Sequence, residues 1–169
     1  MGVSTPPRRA VLVGLGAMML FPKVARAGGV LDLTWNDLLP EGQPAAAPII
    51  PELLSHTGPD LSRSQPQSHG VRNDWDEKTV RIPGFVVPIE YSSNGVTAFI
   101  LVPYAGACIH VPPPPANQLV FVTTQTPFES KGLYEPVNVT GLFVAAPLST
   151  HLADIGYSLS ADRIDRYGV

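Results

Sequence analysis

The chain has 169 residues, 44% hydrophobic and 15% charged, enough apolar content for one packed domain and too little charge for wholesale disorder. Nineteen prolines and fifteen glycines make up about a fifth of it, against a usual combined share of roughly 12%, which argues against a helical bundle and for short strands joined by irregular loops. The single cysteine, Cys108, excludes an internal disulfide framework and four-cysteine zinc fingers, and a formal net charge of −3 without a Lys/Arg cluster makes nucleic acid an unsuitable partner.

Residues 1–27 have the pattern of an export signal. Arg8 and Arg9 form a positive start, residues 10–20 a short apolar stretch, and Ala25-Arg26-Ala27 a small-x-small cleavage site. The paired arginines before the apolar run also match a twin-arginine signal, so the expected location is the periplasm. Removing this leader takes away Arg8, Arg9, Lys23 and Arg26 and no acids, which leaves seven basic against fourteen acidic side chains, a net charge of −7. The mature chain has no run of 18 or more apolar residues, so no transmembrane span is expected in it.

Residues 28–76 read as a proline-rich extension with short helices. Thr34 is a suitable N-cap for a helical turn over 35–39 that Pro40 stops, and Ile49, Ile50, Leu53 and Leu54 have the pattern of a second short helix that docks on the domain. Residues 62–73 are polar and predict a surface loop.

A small β-domain follows over 77–169. Val80 and Ile82, then Phe85, Val87 and Ile89, form two alternating sets of opposite parity, with a bulge or bend expected at Pro83-Gly84. Ser93-Asn94-Gly95 predicts a hairpin turn of the type that tolerates positive φ at Asn-Gly, and residues 97–103 form the return strand. Further strands are expected over 119–124, 137–144 and 157–167, with a short helix over 150–155 capped by Ser149 and ended by Gly156. The pattern fits a mainly β fold with one or two short helices: a small, partly open barrel of the oligonucleotide-binding type, or a small sandwich.

Residues 103–118 depart from this ordinary patterning. Cys108 and His110 lie two apart, so on an extended segment both side chains leave the same face. Pro112, Pro113, Pro114 and Pro115 then impose a stiff extended conformation, followed by Asn117 and Gln118. The string Val102-Pro103-Tyr104 with Ala107-Cys108-Ile109-His110-Val111-Pro112-Pro113-Pro114-Pro115-Ala116-Asn117-Gln118 resembles the signature of an uncharacterised bacterial exported family, domain of unknown function 3299. Gly84-Phe85-Val86-Val87-Pro88, Val137-Asn138-Val139-Thr140-Gly141, Gly156-Tyr157 and Trp35 add to the likeness, which spans about residues 31–168. The resemblance implies an exported protein often encoded beside membrane-transport (ABC-type) components, and it carries no catalytic assignment.

Three readings of Cys108 and His110 stay open at this point. They could be a packed thiol and a structural imidazole. They could be ligands for a soft metal, Zn²⁺ or copper, with His151 and Asp154, three apart on the expected helix, completing the set and Glu90 as a further donor. They could be a reactive thiol and the base that activates it, in a thiol-dependent enzyme or redox protein. A separate reading makes Pro112, Pro113, Pro114 and Pro115, with Asn117 and Gln118, a rigid edge that docks on a partner. His56 and His69 are weaker metal candidates, and Asn117 and Gln118 also suit the satisfaction of backbone groups. The sequence expectation is a periplasmic, non-enzymatic accessory or binding protein beside a transport system, handling Zn²⁺ or copper through Cys108 and His110.

Overall fold

The computed structural model describes residues 1–2, 29–42, 65–108 and 113–167. The export signal, the second expected helix, His56, His110 and Pro112 lie outside these residues.

Five long strands carry the fold. These are β2 (Lys78–Ser92), β3 (Gly95–Val102), β4 (Val120–Phe128), β5 (Pro136–Val144) and β8 (Tyr157–Arg166), joined by the two-residue strands β1 (Leu31–Asp32), β6 (Leu148–Ser149) and β7 (Asp154–Ile155). The sheet order β2-β3-β4-β8-β5 returns to β2, because the first half of β2 pairs with β5 and the second half with β3. The result is a closed five-stranded barrel in which β4 and β8 run parallel and the other four barrel pairings are antiparallel. Closure removes the free edges a sandwich would leave. It also realises the barrel expected from the strand pattern more fully than the partly open form.

The parity switch in β2 has a physical cause. Val80, Ile82 and Val86 belong to the barrel core, whereas Phe85, Val87 and Ile89 join a second apolar cluster on the outside. Both faces of this strand are therefore covered. Gly84 lies at the switch, where an added Cβ would sit 2.7 Å from Leu101 Cγ, so only glycine allows β2 and β3 to approach so closely. The expected bulge is not at Pro83-Gly84, which holds its register with β5; the register shifts fall between Pro88 and Tyr91.

The β2–β3 hairpin forms as expected, with a displaced turn. Ser93 and Asn94 are its loop residues, and Gly95 begins β3 with φ 136°. An added Cβ at Gly95 would lie 2.5 Å from Phe128 O, so the glycine is required by the neighbouring strand as well as by its backbone angle.

The helix expected over 150–155 is absent. Leu148 and Ser149 instead pair with Ile155 and Asp154 in a small hairpin. Thr150 holds its turn: Oγ1 accepts from Leu152 N and Ala153 N and donates to Ala153 O. A threonine hydroxyl that bonds local backbone in this way competes with helix formation.

The described parts of the N-terminal extension are built into the barrel core. Thr34 precedes a 3₁₀ turn (Trp35–Leu38), and its N and Oγ1 both donate to the Asp37 carboxylate at 2.7 Å. Leu33 and Leu38 enter the core, Trp35 Nε1 donates to Pro83 O at 2.8 Å, and the buried Tyr157 hydroxyl donates to Leu38 O at 3.0 Å. Among the described residues no helix is long and apolar enough to cross a membrane.

Candidate functional site

Outside the barrel, the face made by β2, β3 and the start of β4 carries Val87, Ile100, Val102 and Leu119. Residues 104–108 and the β6–β7 hairpin fold over it and add Ala107, Ala153 and Ile155, so a second apolar layer forms on the outer wall. Phe85, Ile89, Tyr104, Cys108, Phe121, Tyr134, Leu148 and Leu152 pack around its rim, half-buried.

Cys108 sits on this rim. Gly106 (φ 95°) and Cys108 (φ 69°) both take left-handed backbone conformations, which few residues other than glycine adopt. Ala107 between them is fully buried, and its carbonyl accepts the Tyr134 hydroxyl at 2.9 Å. Tyr134 is itself left-handed (φ 59°) and is anchored by its N–H to Val86 O at 2.8 Å, while Val86 N donates to Glu135 O at 3.1 Å. A phenol from the β4–β5 connection thus fixes the turn that presents the thiol.

Burial pushes the Cys108 thiol up to about 12. The Tyr134 phenol is raised to about 12, and that of Tyr104 is raised as well, in both cases first by burial and then by the nearby Cys108. Burial thus favours the protonated thiol, with the Tyr104 and Tyr134 phenols nearby, and disfavours the free thiolate that a nucleophile requires.

The remaining predicted residues separate into inward and outward groups. Pro113, Pro114 and Pro115 are buried, so the docking edge expected of them is turned into the structure; Pro112 lies outside the described residues. Asn117 (0% exposed) and Gln118 (2%) are interior struts. Asn117 Nδ2 donates to Gly70 O at 3.0 Å, and Gln118 Nε2 donates to Trp35 O at 2.9 Å and Asn117 O at 3.1 Å. Gly70 and Trp35, two of these partners, belong to the N-terminal segments.

His151 is exposed on the turn between β6 and β7. Asp154 is exposed on β7, its carboxylate accepting from Ser149 Oγ. The helix that would have placed these two side chains on one face does not exist, which removes the geometric reason for grouping them. Glu90 and His69 are exposed. Among the described residues no three His, Cys, Asp or Glu side chains form a group able to hold a metal ion.

Sequence reasoning missed two contributors. Gln65 ties the extension to both parts of the outer layer: Nε2 donates to Pro114 O (2.8 Å) and Asp154 O (2.7 Å), and Oε1 accepts from Asp154 N (2.8 Å). Tyr134 was the other, and only its hydroxyl at the end of a polar loop could have suggested it.

The architecture and the Cys108 loop can now be set against known proteins. The model of a family described as "Protein of unknown function (DUF3299)" matches residues 35–166, most of the chain. The chain belongs to that family. It is also similar to a crystal structure of a DUF3299 family protein from Pseudomonas aeruginosa PAO1, with 42% sequence identity and a TM-score of 0.73 over 84% of this chain and 99% of that one. No curated protein matches. Membership in DUF3299 accounts for the barrel and for the residues that resemble the family's signature, and it brings no activity with it.

Proposed function

We propose that the chain is an exported, non-enzymatic binding protein whose working surface is the outer apolar layer around Cys108, and that it engages an apolar segment of a membrane-transport component there. The observation that carries this reading is the composition of the outer layer: a dry apolar centre rimmed by half-exposed Phe85, Ile89, Tyr104, Phe121 and Tyr134, with the Cys108 thiol among them. Amphipathic aromatic side chains around a dry apolar centre suit a protein interface.

Two features support the choice of class. In barrels of the oligonucleotide-binding type, the face formed by the second and third strands is the one that takes oligonucleotides or oligosaccharides. Here those strands are β3 and β4, and the chain's own loop covers that face. The barrel interior is filled by large side chains, with Phe143 and Tyr157 stacked at 5.0 Å between ring centroids. For the soft-metal reading, Zn²⁺ or Cu⁺ would have to displace the Cys108 proton against burial, with His110 and at least one further donor. The leader supports the periplasmic location, and the family resemblance supports the transport partner.

Photo-crosslinking in intact cells tests the proposal. A photoreactive phenylalanine analogue in place of Leu152, on the rim, is expected to give a discrete adduct with a transport component. The same analogue in place of Ser160, exposed on the outer face of β8, is expected to give none. No adduct from position 152, or the same adducts from both positions, would contradict it.

A further inference from the structure

We infer that a second site, on the opposite strands of the barrel wall, binds a small carboxylate. Arg81 on β2 pairs with Thr140 on β5, and Thr140 pairs with Arg163 on β8, so three neighbouring strands present guanidinium, hydroxyl and guanidinium in one row. Paired residues of adjacent strands project from the same face. The row faces outward, because Val80, Ile82 and Val139, on either side of it, point into the core. With Val30 and Asp32 these side chains line a surface cavity of about 390 Å³.

Three observations mark the row as more than a solvated stripe. The Thr140 hydroxyl oxygen is buried and has no hydrogen-bond partner among the described residues, a state that costs about 1–3 kcal/mol unless something satisfies it. The register between β5 and β8 shifts at Thr140/Gly141, an irregularity of the kind that re-aims side chains beside binding sites. Both arginines are oriented by an ion pair at Nε: Asp32, itself at the cavity, lies 2.6 Å from Arg81 Nε and Asp165 lies 2.8 Å from Arg163 Nε, which leaves the Nη ends as the donors for a ligand.

Two arginines and two aspartates sum to zero, so net charge gives a dianion no advantage and the donor geometry decides: two guanidinium ends match the two in-plane oxygens of a carboxylate. One of those oxygens would accept the Thr140 O–H, which is closed off in this structure and would have to open toward the cavity, with the apolar substituent against Val30.

Titration of the full chain with acetate, followed by amide chemical shifts at ionic strength matched with chloride, tests this. Saturable shifts around residues 81, 140 and 163 are expected in the millimolar range. Thr140→Val is expected to weaken binding about tenfold, Thr140→Ser to retain it, and Arg163→Gln to abolish it. Linear, non-saturating shifts would overturn the site, as would Thr140→Val and Arg163→Gln variants that bind like the parent. Tighter binding of inorganic phosphate than of acetate would overturn the carboxylate assignment.

Discussion

The barrel core and the outer layer are both apolar and both well buried at their centres, yet they are built in different ways. The core uses alternate residues of long strands, such as Val80 and Ile82 on β2, Val120 and Val122 on β4, and Val137 and Val139 on β5, closed on all sides by a continuous hydrogen-bonded wall. The outer layer uses one face of that wall and covers it with loop residues, Ala107 and Ala153 among them, held by side-chain hydrogen bonds from Tyr134, Gln65 and Gln118. A closed wall enforces its own packing, whereas a loop cover depends on its tethers and ends in a half-exposed rim. The first region supplies the stability of the fold, and the second is the surface to which we assign the proposed recognition.

The largest expected effect comes from truncating matched leucines. Leu101 (in the core) and Leu119 (in the outer layer) are both fully buried. Leu→Ala costs about 2–5 kcal/mol, depending on how far the surroundings collapse. Leu101→Ala should fall near the upper end, inside a closed wall, and Leu119→Ala near the lower end, where a loop can settle into the gap. Urea denaturation of both variants checks this, and equal or reversed losses would break the distinction between the two regions.

A smaller effect concerns pH. The unfolded chain releases its thiol proton near pH 8.5, while the folded chain holds it to about 12. This contribution to stability is therefore complete below about pH 8.5 and declines as pH rises through the window between the two values. Because Cys108 is partly exposed, the slope should fall below the ~1.4 kcal/mol per pH unit of a fully shielded group. Thermal unfolding between pH 8 and 10 should show a shallower alkaline decline for Cys108→Ala than for the parent chain. Identical slopes would mean that the outer layer does not enclose the thiol.

Much of the fold was legible because strands announce themselves by period and turns by residue type. Asn94-Gly95 marked the hairpin to within one residue, whereas the two alternating sets around Pro83-Gly84, which read as a bulge or bend, instead belong to one continuous strand covered on both faces. Barrel closure was not legible, because it rests on the parallel β4–β8 pairing, which joins segments more than thirty residues apart. The β6–β7 hairpin was missed because a serine followed by a threonine looks like a helix cap until the Thr150 hydroxyl is seen bonding its own turn. At the candidate site, the sequence singled out residues 103–118 and left open what they do there. The prolines and the Asn117–Gln118 pair look like a display surface in isolation. Their inward orientation depends on Gly70, Trp35 and Gln65, which are distant in the chain.

Assigning this surface to binding rather than chemistry requires a neutral Cys108, and the pH dependence of its alkylation by iodoacetamide in the folded chain measures that directly. A slow reaction is predicted, with no inflection below about pH 10 and acceleration to the rate of a free thiol only on denaturation. A fast reaction with an inflection below pH 8 would establish a thiolate beside a cationic or basic group, and would contradict the assignment of this surface to binding rather than chemistry.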